Sequence, residues 1–453
     1  MVRRFVISAV LLGLALGAQA RTRPHYGGTL RIETQGDPWQ MPDGLARRFV
    51  LDTLTTANDT GVAQPALAVS WSSQNADHRW EFTLRPGVHF QDGAPLTGES
   101  VVTALNDVCS HGATANPPLA CPWRTVRAVG DAVIFVSDTS LPDLPALLAQ
   151  ESFAIARQDA SGAVIGTGAF RVTGFTNGAL VLAANDDCWA GRPFVDSLEI
   201  HSHRTARDQW LDLSVGKADI VEVPPEMIRQ AQQQHLSLLV SRPVDLLALT
   251  IAPNGPFAGR EMRQAVALAV DRAALSNVIY QKQGEVTASL LPQALSGYAF
   301  LFSTERNLDR ARALRGGASP SGLVLSTEDT TATMRLAAER LALNLREAGF
   351  TVQVAPPGSR QPAGFTLRRV HLEAASPAAA LDEMLAQFGQ NSTVTATDPA
   401  RLWQTERSVL DNETIVPLLW LPRAWAAGER VRDLRLSPDG APLAADASLE
   451  GAK

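Results

Sequence analysis

WEFTLRPGVHFQDGAPLTGESVVTAL, Trp80 to Leu105, packs a strand, two turns and a helix start into one short stretch. Trp80, Phe82 and Leu84 alternate with Glu81, Thr83 and Arg85, the period-two pattern of a half-buried strand. Pro86 and Gly87 make a turn. Val88, His89 and Phe90 open a second extended segment that stops at Asp92 and Gly93, a pair suited to the positive dihedrals of tight turns. Thr97 supplies an N-cap hydroxyl, Glu99 sits in the first turn where the helix dipole favours negative charge, and Val101, Val102 and Leu105 form an apolar stripe. Each polar residue has a local structural task, so the stretch predicts packed scaffold rather than a ligand contact.

Outward from this block, strands and helices alternate. GGTLRIETQGDPW predicts a strand over Thr29–Glu33 that breaks at Gly36. MRQAVALAVDRAALSNVI and MRLAAERLALNLREAGF repeat apolar residues at three and four spacing, and Gly349 stops the second before the strand TVQVA. RGGASPSG and APPGSRQPAG are surface loops within the second half, because periodic segments resume on both sides. The chain is therefore an α/β protein, and its 453 residues suffice for two or three domains.

A net charge of -6 without a concentrated basic surface argues against nucleic-acid binding. Arg3 and Arg4, then FVISAVLLGLALGA, then Ala18-Gln19-Ala20 follow the order of a secretory signal, so residues 1–20 are expected to be removed near Ala20. No cysteine sits at the cleavage site to carry a lipid, which points to a free protein in a Gram-negative periplasm. In an oxidising compartment Cys109 and Cys121, flanking SHGATANPPLA, are expected to bridge, leaving Cys188 as a half-buried apolar residue beside Trp189.

Catalytic signatures are missing. There is no G-x-S-x-G, H-E-x-x-H, phosphate-binding loop or dinucleotide fingerprint, and nothing nominates a catalytic residue. His201 and His203 share a strand face without a third ligand nearby, so no metal and no cofactor are expected.

The opening stretch resembles the most recognisable block of the family 5 extracellular solute-binding proteins, receptors for dipeptides, oligopeptides and nickel complexes that serve bacterial ABC importers. In that family a strand, an R-x-G-V-x-F turn and a D-G-x-P-x-T helix start recur together. Further blocks follow in the family's order: PALAVSW, GTGAFRVTGF, LAANDDCWAGRPFVDSLEI, PFAGREMRQAVALAVDR, NLDRARALRGGA and IVPLLW. The resemblance implies a type 2 periplasmic-binding-protein fold, two α/β lobes joined by a hinge, with the ligand enclosed between them. Lobe 1 would comprise residues 21–245, with an extra subdomain at about 50–165. Lobe 2 would comprise 246–424, and 425–453 would return to lobe 1.

The same resemblance nominates binding residues. Peptide-binding members place an acid within G-W-x-x-D-x-x-D-P against the ligand ammonium; here the corresponding stretch is RRVHLEAASP, with Glu373 at the acidic position and Pro377 at the proline. The motif's tryptophan and second aspartate are absent. Strand alternation puts Arg369 and His371 on Glu373's face, with Arg369 as a carboxylate partner. The loop after the first strand lends backbone groups to extended ligands in the family, which nominates Gly36, Asp37, Pro38 and Trp39. Trp420 matches a position where the family often has an aromatic near the cleft. The implied function is a monomeric, non-enzymatic receptor passing a small ligand, foremost a short peptide, to ABC permease subunits. A receptor for a metal chelate or sugar is the alternative of the same class, and an exported hydrolase or a ligand sensor is the alternative from another.

Overall fold

The computed structural model describes residues 25–39, 44–112, 119, 121–159, 161–298, 301–318, 320, 322–356, 359, 364–390 and 398–451. The expected signal segment lies outside them. The opening stretch folds as a strand, Arg79–Leu84, in a four-stranded antiparallel sheet between Ala68–Gln74 and Ala132–Val136. Trp80, Phe82 and Leu84 enter a core completed by Phe90, Val101, Leu105 and Phe135. The turn glycines Gly87 and Gly93 have φ of +74° and +85°, where a side chain is strained. Thr97 and Ser100 cap the helix Gly98–Gly112 reciprocally: each hydroxyl oxygen accepts from the other's backbone N–H, at 3.2 and 2.9 Å.

Two readings of this stretch need correction. Val88–Phe90 is no strand; it makes one bridge, His89 with Pro95, and closes on itself through Phe90 N–H to Ala94 O at 2.8 Å. Gln91 has a long-range task. Its Nε2 donates to Val50 O at 2.9 Å and Phe170 O at 2.7 Å, while its Oε1 accepts from Gly166 N–H at 3.1 Å. A primary amide can donate and accept at once, so one side chain stitches three segments together. The G-T-G of the GTGAFRVTGF block is part of the same seam: a Cβ on Gly166 would lie 2.3 Å from Val50 O, and one on Gly168 2.6 Å from Phe49 O.

The main sheet spans the molecule. In spatial order its strands are Phe170–Thr176, Ala179–Ala184, Ser197–His201, Thr29–Glu33, Ile220–Val223, Ile415–Ala427, Ser237–Ile251, Phe365–His371, Leu323–Thr327 and Val352–Val354, and Glu285–Val286 pairs off this path with Ile415–Ala427. Thr29–Glu33 runs parallel to both its neighbours, as does Leu323–Thr327, so each end of the sheet has its own parallel segment. At the first end Leu30, Ile32, Phe49, Phe170 and Trp425 share a core. At the second, alternation separates two cores: Leu247, Leu249 and Ile251 face one, Leu246 and Ala248 the other. Helix Ala332–Glu347 covers one face and Pro377–Gln387 the opposite one.

Ser237–Ile251 and Ile415–Ala427 run antiparallel through both lobes. Their ladder is regular over Ser237–Val240, the register shifts on both sides of Pro243, which pairs with Pro422, and it shifts once more between Leu247 and Ala248. Two prolines facing each other offer no backbone N–H, so the ladder is interrupted where the lobes meet. The expected boundaries at 245/246 and 424/425 fall on these two strands.

Asp271 overrides the long helix expected through MRQAVALAVDRAALSNVI. Its carboxylate accepts from Ala274 N–H at 2.8 Å as an N-cap, so the segment splits into Arg260–Ala269, Arg272–Ala274 and a π-turn over Leu275–Ile279.

Cys109 and Cys121 form a disulfide with Cα atoms 5.7 Å apart, and Cys188 is buried and unpaired. Thiol labelling of the unreduced, denatured protein should modify one cysteine per chain; modification of three would contradict the bridge. Reducing it should cost about 3 kcal/mol of stability by releasing the closed loop in the unfolded chain.

Candidate functional site

A cleft of about 1350 Å³ opens between the lobes. The first lobe contributes helix Ala206–Ser214, capped by Thr205 through Asp208 N–H, and the short 3-10 turn Pro225–Met227. The second contributes Tyr280 and the start of helix Ala332–Glu347, capped by Thr331. The walls touch where the Thr333 hydroxyl donates to Glu226, tying one lobe to the other.

The floor comes from the strands that join the lobes. Asp245 is fully buried, yet three cations converge on its carboxylate. Arg369 donates from Nε to Oδ2 at 3.0 Å and again from Nη2. Arg423 Nε lies 3.1 and 3.2 Å from the two oxygens, and His371 Nδ1 lies 2.7 Å from Oδ1. Burial alone would push this carboxyl up, but the two guanidiniums and the imidazole hold it well below the usual range. Behind the floor, His371 Nε2 faces Asp439 at 3.8 Å, and Arg48 pairs with both Asp439 and Glu151. A ring with a carboxylate at each nitrogen is favoured as the imidazolium. Against desolvation and the charge of Arg423, the hydrogen bond to Asp245 and the nearby Asp439 carboxylate raise His371 to about 9.

This network sets a pH dependence. His371's stabilisation is fully present below its unfolded value near 6.5 and is lost as pH rises through about 9. Burial raises Glu151 to about 7 and Glu383 to about 8, so the fold favours their neutral forms and also loses stability as pH rises through those values. Asp245 and Asp439 are held low and act in the opposite sense only in strong acid. Unfolding free energy from urea titrations should therefore fall by on the order of 3 kcal/mol between about pH 6 and pH 9.5. A flat or rising profile would contradict the assignment.

The residues named from the sequence do not all meet. Gly36, Arg369 and His371 line the cleft. Asp37 instead accepts from Trp39 N–H at 2.8 Å, folding the loop on itself, Pro38 O accepts from Ala46 N–H, and Trp39 packs against the lobe 1 core. Trp420 is 1% exposed within a lobe 2 core and is not part of the lining. Glu373 is half-buried behind the floor. Its carboxylate accepts from Ser152 at 3.3 Å and feels the charge of Arg48. The strand alternation invoked for it stops at His371, because Glu383 takes the N–H groups of Glu373 and Ala374 at 2.9 and 2.8 Å and turns the chain. Asp245, Tyr280, Arg423 and Glu226 escaped the sequence reading. A single acid in PVDLLALTI and a single arginine in LPRAWAA, each inside an otherwise apolar strand, were the available signals.

The model of the family described as bacterial extracellular solute-binding proteins, family 5 Middle, matches residues 62–401, and this chain belongs to that family. NikA, the nickel-binding protein of Staphylococcus aureus, is 22% identical over 316 residues, covering 68% of this chain and 64% of NikA. A Pseudomonas aeruginosa protein described as probable di/tripeptide-binding protein 5 is 25% identical over 342 residues, 65% of this chain and 64% of that one. The matched part thus spans just under two thirds of these relatives' length. Two solved structures share the fold: S. aureus NikA in complex with Ni(L-His)2, with TM-score 0.81, 17% identity and coverage of 94% of this chain and 100% of the other, and Helicobacter pylori DppA in complex with the peptide STSA, with 0.80, 17%, 94% and 99%. The architecture is accordingly the two-lobed periplasmic-binding-protein fold. Among the described residues no helix is long and apolar enough to cross a membrane, and no cluster of three or more His, Cys, Asp or Glu could hold a metal ion.

Proposed function

We propose that this chain is an exported, monomeric solute-binding receptor that encloses a small ligand between its lobes and delivers it to the permease of an ABC importer, without catalysing a reaction. The observation that carries this reading is the cleft itself. It is walled by both lobes, floored by the two strands that connect them, and large enough for a ligand of a few residues. Bending at Pro243 and Pro422 would open and close it, giving a permease two states to distinguish. A short peptide is the favoured cargo, supported by the di/tripeptide-binding and peptide-bound relatives.

Native mass spectrometry of the protein as purified tests this. A retained small molecule, bound one per chain and lost on unfolding, is the expected result. A protein that carries nothing and changes neither stability nor shape with any peptide offered would count against the receptor reading, and turnover of a bound molecule would count against its being purely a receptor.

A further inference from the structure

Arg369, His371 and Arg423 converge on Asp245 at the cleft floor, and His371 also faces Asp439 at 3.8 Å. Arg369 is the most exposed of the three, its side chain a third exposed against 18% for Arg423 and 2% for His371. With Nε and Nη2 both on Asp245, its other terminal nitrogen, Nη1, has no hydrogen-bond partner among the described residues.

Next to this guanidinium is Tyr280, which is 4% exposed yet lines the cavity. Its hydroxyl has no side-chain partner among the described residues. Burial and the nearby acids Glu226 and Asp329 push the phenol up, so it stays protonated and able to donate. A buried phenol without a partner, beside a guanidinium with a spare nitrogen, is a pair of donors awaiting an acceptor. Away from the floor, Trp210 and Met227 on one lobe and Met334 on the other provide an apolar stretch of lining.

We propose that the cleft reads a carboxylate on a small, partly apolar ligand through Arg369 and Tyr280, with Asp245 as the positioning residue that fixes the Arg369 guanidinium. The recognised end is then the anionic one. Glu373, the acid that could have taken a ligand ammonium, sits behind the floor beside Arg48. A guanidinium N–H and a phenol O–H both donate well to a carboxylate, and the charged donor gives the stronger bond. This inference rests on the receptor reading above, and a peptide C-terminus and a free organic acid both carry the required group.

Calorimetry with three forms of one compound separates these cases: alanyl-phenylalanine as the free acid, as its C-terminal amide, and as the N-acetylated acid. The free acid should bind, and the amide should bind at least about thirtyfold more weakly. Equal binding of the N-acetylated acid would assign the site to organic acids generally, whereas its loss would assign it to peptides; both retain the carboxylate. Arg369→Met should remove the preference for acid over amide, and Tyr280→Phe should weaken acid binding about three- to tenfold with little change for the amide. If Arg369→Met does not fold, the wild-type acid-to-amide comparison and Tyr280→Phe still decide the matter. Equal affinity for acid and amide would overturn the inference and leave the receptor reading intact. Binding of none of the three would also overturn it, and the receptor reading would then stand or fall on the retained-ligand measurement.

Discussion

Asp245→Ala is expected to lower folding stability by about 3–5 kcal/mol, because it leaves two guanidiniums and an imidazolium buried or half-buried without their shared counter-ion. Asp245→Asn keeps the shape but not the charge, so it should recover only part of the loss. The effect should exceed that of removing any one of the three cations, since Arg369→Met or Arg423→Met still leaves the carboxylate two partners. Urea denaturation measures it. A loss below about 1 kcal/mol, the range of an exposed ion pair, would mean that the hinge cluster is solvated and does not organise the cleft floor.

Trp420→Ala is expected to cost about 3–5 kcal/mol through the cavity it leaves in the lobe 2 core, where the ring packs among Leu246, Leu381 and Met384. Trp420→Phe should cost far less, because the indole N–H has no hydrogen-bond partner to lose. Ligand affinity of the folded fraction should be unchanged in both. Weaker binding at unchanged stability would instead place Trp420 at the ligand.

These two residues show what the sequence could convey. The fold was legible because its signals are local and ordered: alternation in Trp80–Leu84, the caps and glycines around Gly87, Gly93 and Thr97, and blocks that recur in sequence along the chain. Where local signals competed, as at Asp271, an N-cap ended a helix that periodicity alone would have continued. The cleft floor was only partly legible. Arg369 and His371 share a face because they lie in one strand, and alternation predicts that. Their counter-ion comes from Asp245, more than a hundred residues away, and the second carboxylate facing His371 comes from Asp439 in the returning C-terminal segment. Strand pairing, not spacing, brings these together. Glu373 and Trp420 mark the opposite case: each was nominated by the family resemblance, but one is turned behind the floor by Glu383 and the other is enclosed by apolar neighbours.

The proposed receptor function requires the two lobes to close on a ligand held in the cleft, by bending at the interrupted pair of strands. Spin labels at Gln230 on one wall and Arg335 on the other, replaced by cysteine in a Cys188→Ala background, would report the distance between lobes by pulsed electron paramagnetic resonance. The protein as purified should give a single short distance. The same protein, unfolded, freed of its bound molecule and refolded, should give a longer or broader distribution that returns to the short one when the released molecule is added back. One unchanged distance in all three states, with a bound molecule present in the first, would contradict closure around the ligand.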